Sequence, residues 1–118
     1  YSDLIWCEKA TTNLEEGKKF ADAIHEKFPG KLLAYNCSPS FNWKKHLSDD
    51  EIASFQKEIS KMGYKFQFIT LAGFHTQNIA IFELAEKYKK EGMAAYSKIQ
   101  QLEFAREKDG YTSVKQQR

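Results

Sequence analysis

Three short apolar runs, DLIWC at residues 3–7, LLAY at 32–35 and YKFQFITL at 64–71, begin about 30 residues apart, the repeat of a strand followed by a crossover helix. None has helical spacing, and in the third Phe66, Phe68 and Thr70 alternate against Gln67 and Ile69, so each predicts a strand. Nearly continuous apolar strands with helix-length connections belong to parallel sheets covered by their own crossovers.

The connections carry helix signals. Asn13 is the expected N-cap of the first, with Glu15 and Glu16 in the first turn where negative charge suits the helix dipole. Leu14, Gly17, Phe20, Ala21, Ile24 and Phe28 form one stripe, and Pro29 and Gly30 end it. Residues 41–46 have room for one helical turn. Ser48 with Glu51 is a capping box, Ile52, Phe55, Ile59 and Met62 form the next stripe, and Gly63 stops that helix. A helix is expected over 74–90, burying Phe74, Ile81, Phe82, Ala85 and Tyr88, and another after Gly92 over 93–108, where Tyr96, Ile99, Leu102 and Glu103 mix apolar and charged positions. Residues 111–118 form the expected frayed tail. The fold class is α/β.

With 118 residues the chain has material for one core. A net charge of +2, with Lys and Arg mixed among Asp and Glu, argues against nucleic acid. No apolar run approaches the roughly 20 residues of a membrane span, and no signal pattern opens the chain. A cytoplasmic protein is expected, with Cys7 and Cys37 as free thiols. Tyr1 is no natural initiator and a strand follows at once, so the sequence reads as a piece of something longer.

In parallel α/β folds, ligands sit at the carboxyl ends of the strands. Those ends supply Trp6, Cys7 and Glu8; Asn36, Cys37, Ser38 and Ser40; and Thr70. If the backbone stays extended past the second strand, Asn36, Ser38 and Ser40 point the same way, stiffened by Pro39. An amide and two hydroxyls suit a carboxylate or phosphate, because neutral donors hold an anion without quenching it. The competing local reading has these residues capping the next turn. Cys37 faces the opposite way and is expected to pack. Glu8, the one carboxylate at a strand end, is a candidate general base or hydrogen-bond acceptor, or simply a surface residue opening a loop. Trp6 walls a pocket or packs in the core. Gly73 stands alone, which excludes a phosphate loop, and His25, His46 and His75 lack metal-ligand spacing.

LLAYNCSPSFNWKK, followed about twenty residues later by MGYKFQFITLAGFH, resembles the carboxyl-terminal half of the catalytic barrel of isocitrate lyase, within the isocitrate lyase/phosphoenolpyruvate mutase superfamily. DLIWCE resembles the preceding barrel strand, and GMAAYSKIQQLEFAREKDGYTSVKQQR the helices after the last one. The resemblance implies a partial TIM-type (β/α)8 barrel: the last three βα units over 1–91, and a helix and tail over 92–118 that could exchange between subunits. It implies cleavage of isocitrate to glyoxylate and succinate in the glyoxylate bypass, with Mg²⁺ held by residues outside this chain, and a homo-oligomer, a tetramer in the family.

By the same resemblance Asn36, Ser38, Ser40 and Thr70 hold the carboxylates of the succinate portion, with Trp6 and Glu8 on the active-site wall. The family's Lys-Lys-Cys-Gly-His loop has no counterpart here, and Cys37 does not take its place. After Glu8 the chain reads Lys9, Ala10, Thr11, Thr12 where the family usually has Thr-Ser-Thr-Pro, and Gln116 stands where a His is usual. The short chain alone is not expected to turn over substrate. Two other classes remain: a barrel fragment serving as an assembly or interaction module, and a relative acting on another 2-hydroxy or 2-oxo acid. The Asn-Cys-Ser-Pro-Ser row with Thr70 favours isocitrate over the latter.

Overall fold

The computed structural model describes residues 2–8 and 12–112. Its order is β1 (Leu4–Cys7), α1 (Leu14–Lys27), β2 (Leu32–Asn36), α2 (Trp43–His46), α3 (Asp49–Lys61), β3 (Tyr64–Phe68), α4 (Ala72–Glu91) and α5 (Met93–Arg106), followed by a 3₁₀ turn at Glu107–Asp109. Most of the tail expected to fray, residues 113–118, lies outside the described residues.

The strands form one parallel sheet in the order β1-β2-β3. Leu4–Cys7 pair in register with Leu32–Tyr35. Between β2 and β3 the register shifts: Leu33 pairs with Tyr64, but Ala34 pairs with Phe66. Lys65 is thus the extra residue of a bulge. A small parallel sheet with helical crossovers fits part of a barrel; three strands cannot close one.

β3 ends at Phe68 rather than at Leu71. The apolar run continues, but Leu71 has φ 59° and the Ala72 N–H donates to the Ile69 carbonyl at 3.3 Å. That turn ends the strand despite residues that would extend it.

The helix caps are local chemistry. Asn13 Oδ1 accepts from the N–H groups of Glu15 at 2.8 Å and Glu16 at 3.4 Å. Ser48 Oγ accepts from Glu51 N–H while Glu51 Oε2 accepts from Ser48 N–H, a complete capping box. At the far end of α3, Gly63 has φ +104°, and a Cβ there would lie 2.7 Å from the His25 ring. His25 Nε2 is itself 2.9 Å from the Lys31 carbonyl.

By contacts the chain divides into two compact units at Ala72 and Gly73. The first holds the core: Cys7, Leu33, Tyr35, Cys37 and Tyr64 from the strands and strand ends pack with Ala21 of α1 and with Phe55 and Ile59 of α3. Tyr35 meets the rings of Phe55 and Tyr64 edge-on, and the Tyr64 hydroxyl donates to the Gly17 carbonyl at 2.7 Å. Burial pushes the Tyr35 phenol up to about 12 and raises Tyr64 as well.

In the second unit α4 buries no residue, and of α5 only Ala95 is buried. The face expected to be buried on α4, Phe74, Ile81, Phe82, Ala85 and Tyr88, is exposed, with Phe82 at 67%. A helical stripe states that a surface needs cover; it does not supply the layer that provides it. Among the described residues no helix is long and apolar enough to cross a membrane.

Candidate functional site at the strand ends

β2 delivers Asn36 to the carboxyl end of the central strand, opposite Phe68 of β3. Asn36 is 5% exposed, so its amide needs partners. The Thr70 hydroxyl donates to Asn36 Oδ1 at 2.6 Å, and Asn36 Nδ2 donates to Glu8 Oε1 at 3.3 Å. A carboxylate accepts and does not donate, which fixes the amide nitrogen toward Glu8 and the oxygen toward Thr70. Groups following all three strands are thereby joined in one chain of hydrogen bonds through a single side chain.

Ser38 and Ser40 form a second group. Their hydroxyl oxygens are 2.7 Å apart, and Ser38 Oγ accepts the Ser40 N–H at 3.1 Å. Alternation holds from Asn36 through Cys37, which packs into the core, to Ser38, and then the chain turns at Pro39 and Ser40. The extended row therefore stops short of Ser40, because the Ser38 hydroxyl captures a backbone N–H two residues on. The local reading describes this turn, yet the turn still brings the two hydroxyls together.

Donor arithmetic follows from these bonds. Thr70 has one hydroxyl hydrogen and gives it to Asn36; it presents lone pairs until it rotates. Asn36 has two amide hydrogens and uses one on Glu8. The serine pair has two hydrogens, of which their mutual bond uses one. The site thus offers one unused amide N–H, its direction set by Thr70 through the Asn36 oxygen, and one unused serine hydroxyl.

Trp6 is 52% exposed and meets Phe68 edge-on at 5.0 Å, beside the register position of Asn36. Among the described residues it is an exposed residue rather than a core one. Burial raises the Cys37 thiol, which favours the neutral, unreactive form. Of the residues that depart from the family run, Thr12 is buried and hydrogen-bonds the Tyr35 hydroxyl; Lys9, Ala10, Thr11 and Gln116 lie outside the described residues. One contact escaped the sequence reading: the Trp43 indole N–H donates to the Ser38 carbonyl at 2.9 Å. An aromatic with an N–H five residues beyond the serine was the available signal.

All of the chain, residues 1–118, matches the model of the isocitrate lyase family. The chain belongs to the isocitrate lyase family. It is 65% identical over 118 residues to an isocitrate lyase of Halalkalibacterium halodurans, covering 100% of this chain and 28% of that protein. It is 55% identical to isocitrate lyase 1 of Mycobacterium tuberculosis, again over 100% of this chain and 28% of the relative. A bifunctional glyoxylate cycle protein of Caenorhabditis elegans is 54% identical over 100% of this chain and 12% of its own length. The chain therefore spans little more than a quarter of the isocitrate lyases it matches.

Proposed function

We propose that this chain is a segment of an isocitrate lyase that cleaves isocitrate to glyoxylate and succinate in the glyoxylate cycle, and that its strand ends bind the carboxylates of the succinate portion. The observation that carries the reading is the Glu8–Asn36–Thr70 chain beside the paired hydroxyls of Ser38 and Ser40, in a chain matched end to end by the family. When the C2 hydroxyl of isocitrate loses its proton and the C2–C3 bond breaks, the electron pair flows toward the C3 carboxylate, which becomes enediolate-like. The Asn36 N–H and the free serine hydroxyl point donors at that growing charge without supplying a proton strong enough to quench it. Glu8 holds the amide in place, a positioning role that its contact with Asn36 Nδ2 supports.

Mg²⁺, a tetrameric assembly and a cytoplasmic location belong to the same proposal. The metal's ligands would come from outside this chain. Among the described residues no three of His, Cys, Asp and Glu gather into a cation site.

The test uses the full-length protein that carries this segment, with glyoxylate release as the readout. Asn36→Ala is expected to lower kcat/KM by about a hundredfold or more, and Ser38→Ala to weaken inhibition by succinate while leaving inhibition by glyoxylate in place. Succinate inhibition that is unchanged in both variants would sink the carboxylate assignment.

A further inference from the structure

The turn that carries Ser38 and Ser40 has the core residue Cys37 on its strand side and open space beside it. A cavity of about 310 Å³, lined by Cys37, Pro39, Trp43, Ile52, Gln56 and Ile69, lies against it. Beyond Cys37, which precedes it and packs in the core, the side chain that links this turn to the core is Trp43. Its indole N–H donates to the Ser38 carbonyl at 2.9 Å. Its ring meets Phe55 edge-on at 5.0 Å and 87°, and Phe41 stacks on it at 5.5 Å and 17°. Phe55 is fully buried, so the edge-on contact seats the half-buried indole against a fixed wall of the core.

We propose that Trp43 is a positioning residue of the carboxylate-binding turn: by fixing the Ser38 carbonyl, its indole N–H sets where the hydroxyls of Ser38 and Ser40 meet the ligand. This rests on the succinate-side reading above. Ser38 is 8% exposed, so its carbonyl exchanges poorly with water and depends on a protein donor. Without that donor the Ser38 carbonyl loses its anchor, and although Pro39 fixes its own φ and narrows the choices of Ser38, the Ser38 ψ bond regains room to swing. The Oγ–Oγ pair then loses its fixed direction, and binding must pay for ordering it. Trp43 touches no substrate in this scheme; its effect passes through Ser38.

The experiment compares Trp43→Phe, replacement of Trp43 by its benzothiophene isostere, and Ser38→Ala in the full-length protein. Inhibition constants for succinate and for glyoxylate are measured with the thermal midpoint. The isostere keeps the ring's size and stacking and lacks only the N–H, so it decides the matter if Trp43→Phe folds poorly. The isostere is expected to bind succinate about fivefold to tenfold more weakly, the effect of losing one hydrogen bond, with glyoxylate binding unchanged and the midpoint lowered only slightly, as one unpaired carbonyl requires. Parent-like succinate binding by the isostere overturns the proposal, as does equal weakening for succinate and glyoxylate, which would mark a general structural role. If Ser38→Ala weakens succinate binding and the isostere does not, only Trp43 loses its role. If Ser38→Ala binds succinate like the parent, the carboxylate reading falls and takes this inference with it.

Discussion

The two faces of the three-stranded sheet are built from the same strands and are almost equally apolar, yet only one has found cover. On one face Cys7, Leu33, Tyr35 and Tyr64 are buried with residues of α1 and α3. On the other, Leu4, Trp6, Leu32 and Phe66 are exposed, Phe66 at 56%. Only the small Ala34 and the hydrogen-bonded Asn36 of the central strand are buried there. Composition therefore states that both faces need burial, while α1 and α3 cover one. The strands' apolar residues record a larger environment than these 118 residues supply.

Substitutions can break or sharpen that contrast. The largest effect is expected at Phe55, which is fully buried between the rings of Tyr35 and Trp43. Phe55→Ala should cost about 3–5 kcal/mol in urea unfolding, whereas Phe66→Ser in the same 118-residue chain should stay within about 0.5 kcal/mol. Comparable losses at the two positions would erase the distinction between the faces.

A smaller effect comes from alkali. The Tyr35 phenol is raised to about 12 when folded against about 10 when unfolded. Its contribution is complete below pH 10. As pH rises from 10 to 12 the unfolded chain gives up a proton that the folded chain keeps, so stability falls, by on the order of 2–3 kcal/mol. Tyr35→Phe should remove its share of that slope in unfolding curves taken across this range and leave the share of Tyr64, which burial raises as well. Smaller again, Tyr64→Phe removes the hydroxyl that bonds the Gly17 carbonyl and should cost about 1–2 kcal/mol, measurable as a lowered urea midpoint with an unchanged slope. A rise in stability there would mean that the covered face tolerates its polar groups rather than using them.

What was legible in the sequence was local. Asn13, Ser48 with Glu51, and Gly63 each signal through residues within one turn, and each cap lies where its neighbours put it. The alternation that sends Cys37 to the core and Asn36 to the opposite side was likewise readable, because a period of two needs no partner. The end of β3 was not: Ile69 and Leu71 remain apolar around the β-branched Thr70, and only the left-handed turn at Leu71 stops the strand. Nor was the Ser38–Ser40 bond, where a local hydroxyl contact outcompetes extension. The link from Thr70 to Asn36 spans 34 positions; the rim rule brings such residues to one end of a sheet but does not say which oxygen receives the hydrogen.

Gly63 has a consequence for protein engineering. Any side chain placed there must displace the His25 ring and with it the contact to the Lys31 carbonyl, just where β2 begins. Asn36 and Thr70 stand at the other ends of β2 and β3. A combinatorial library that varies 36, 38, 40 and 70 can therefore search for new ligands on a scaffold whose strand starts remain locked. One that also varies 63 should lose most of its members before selection begins.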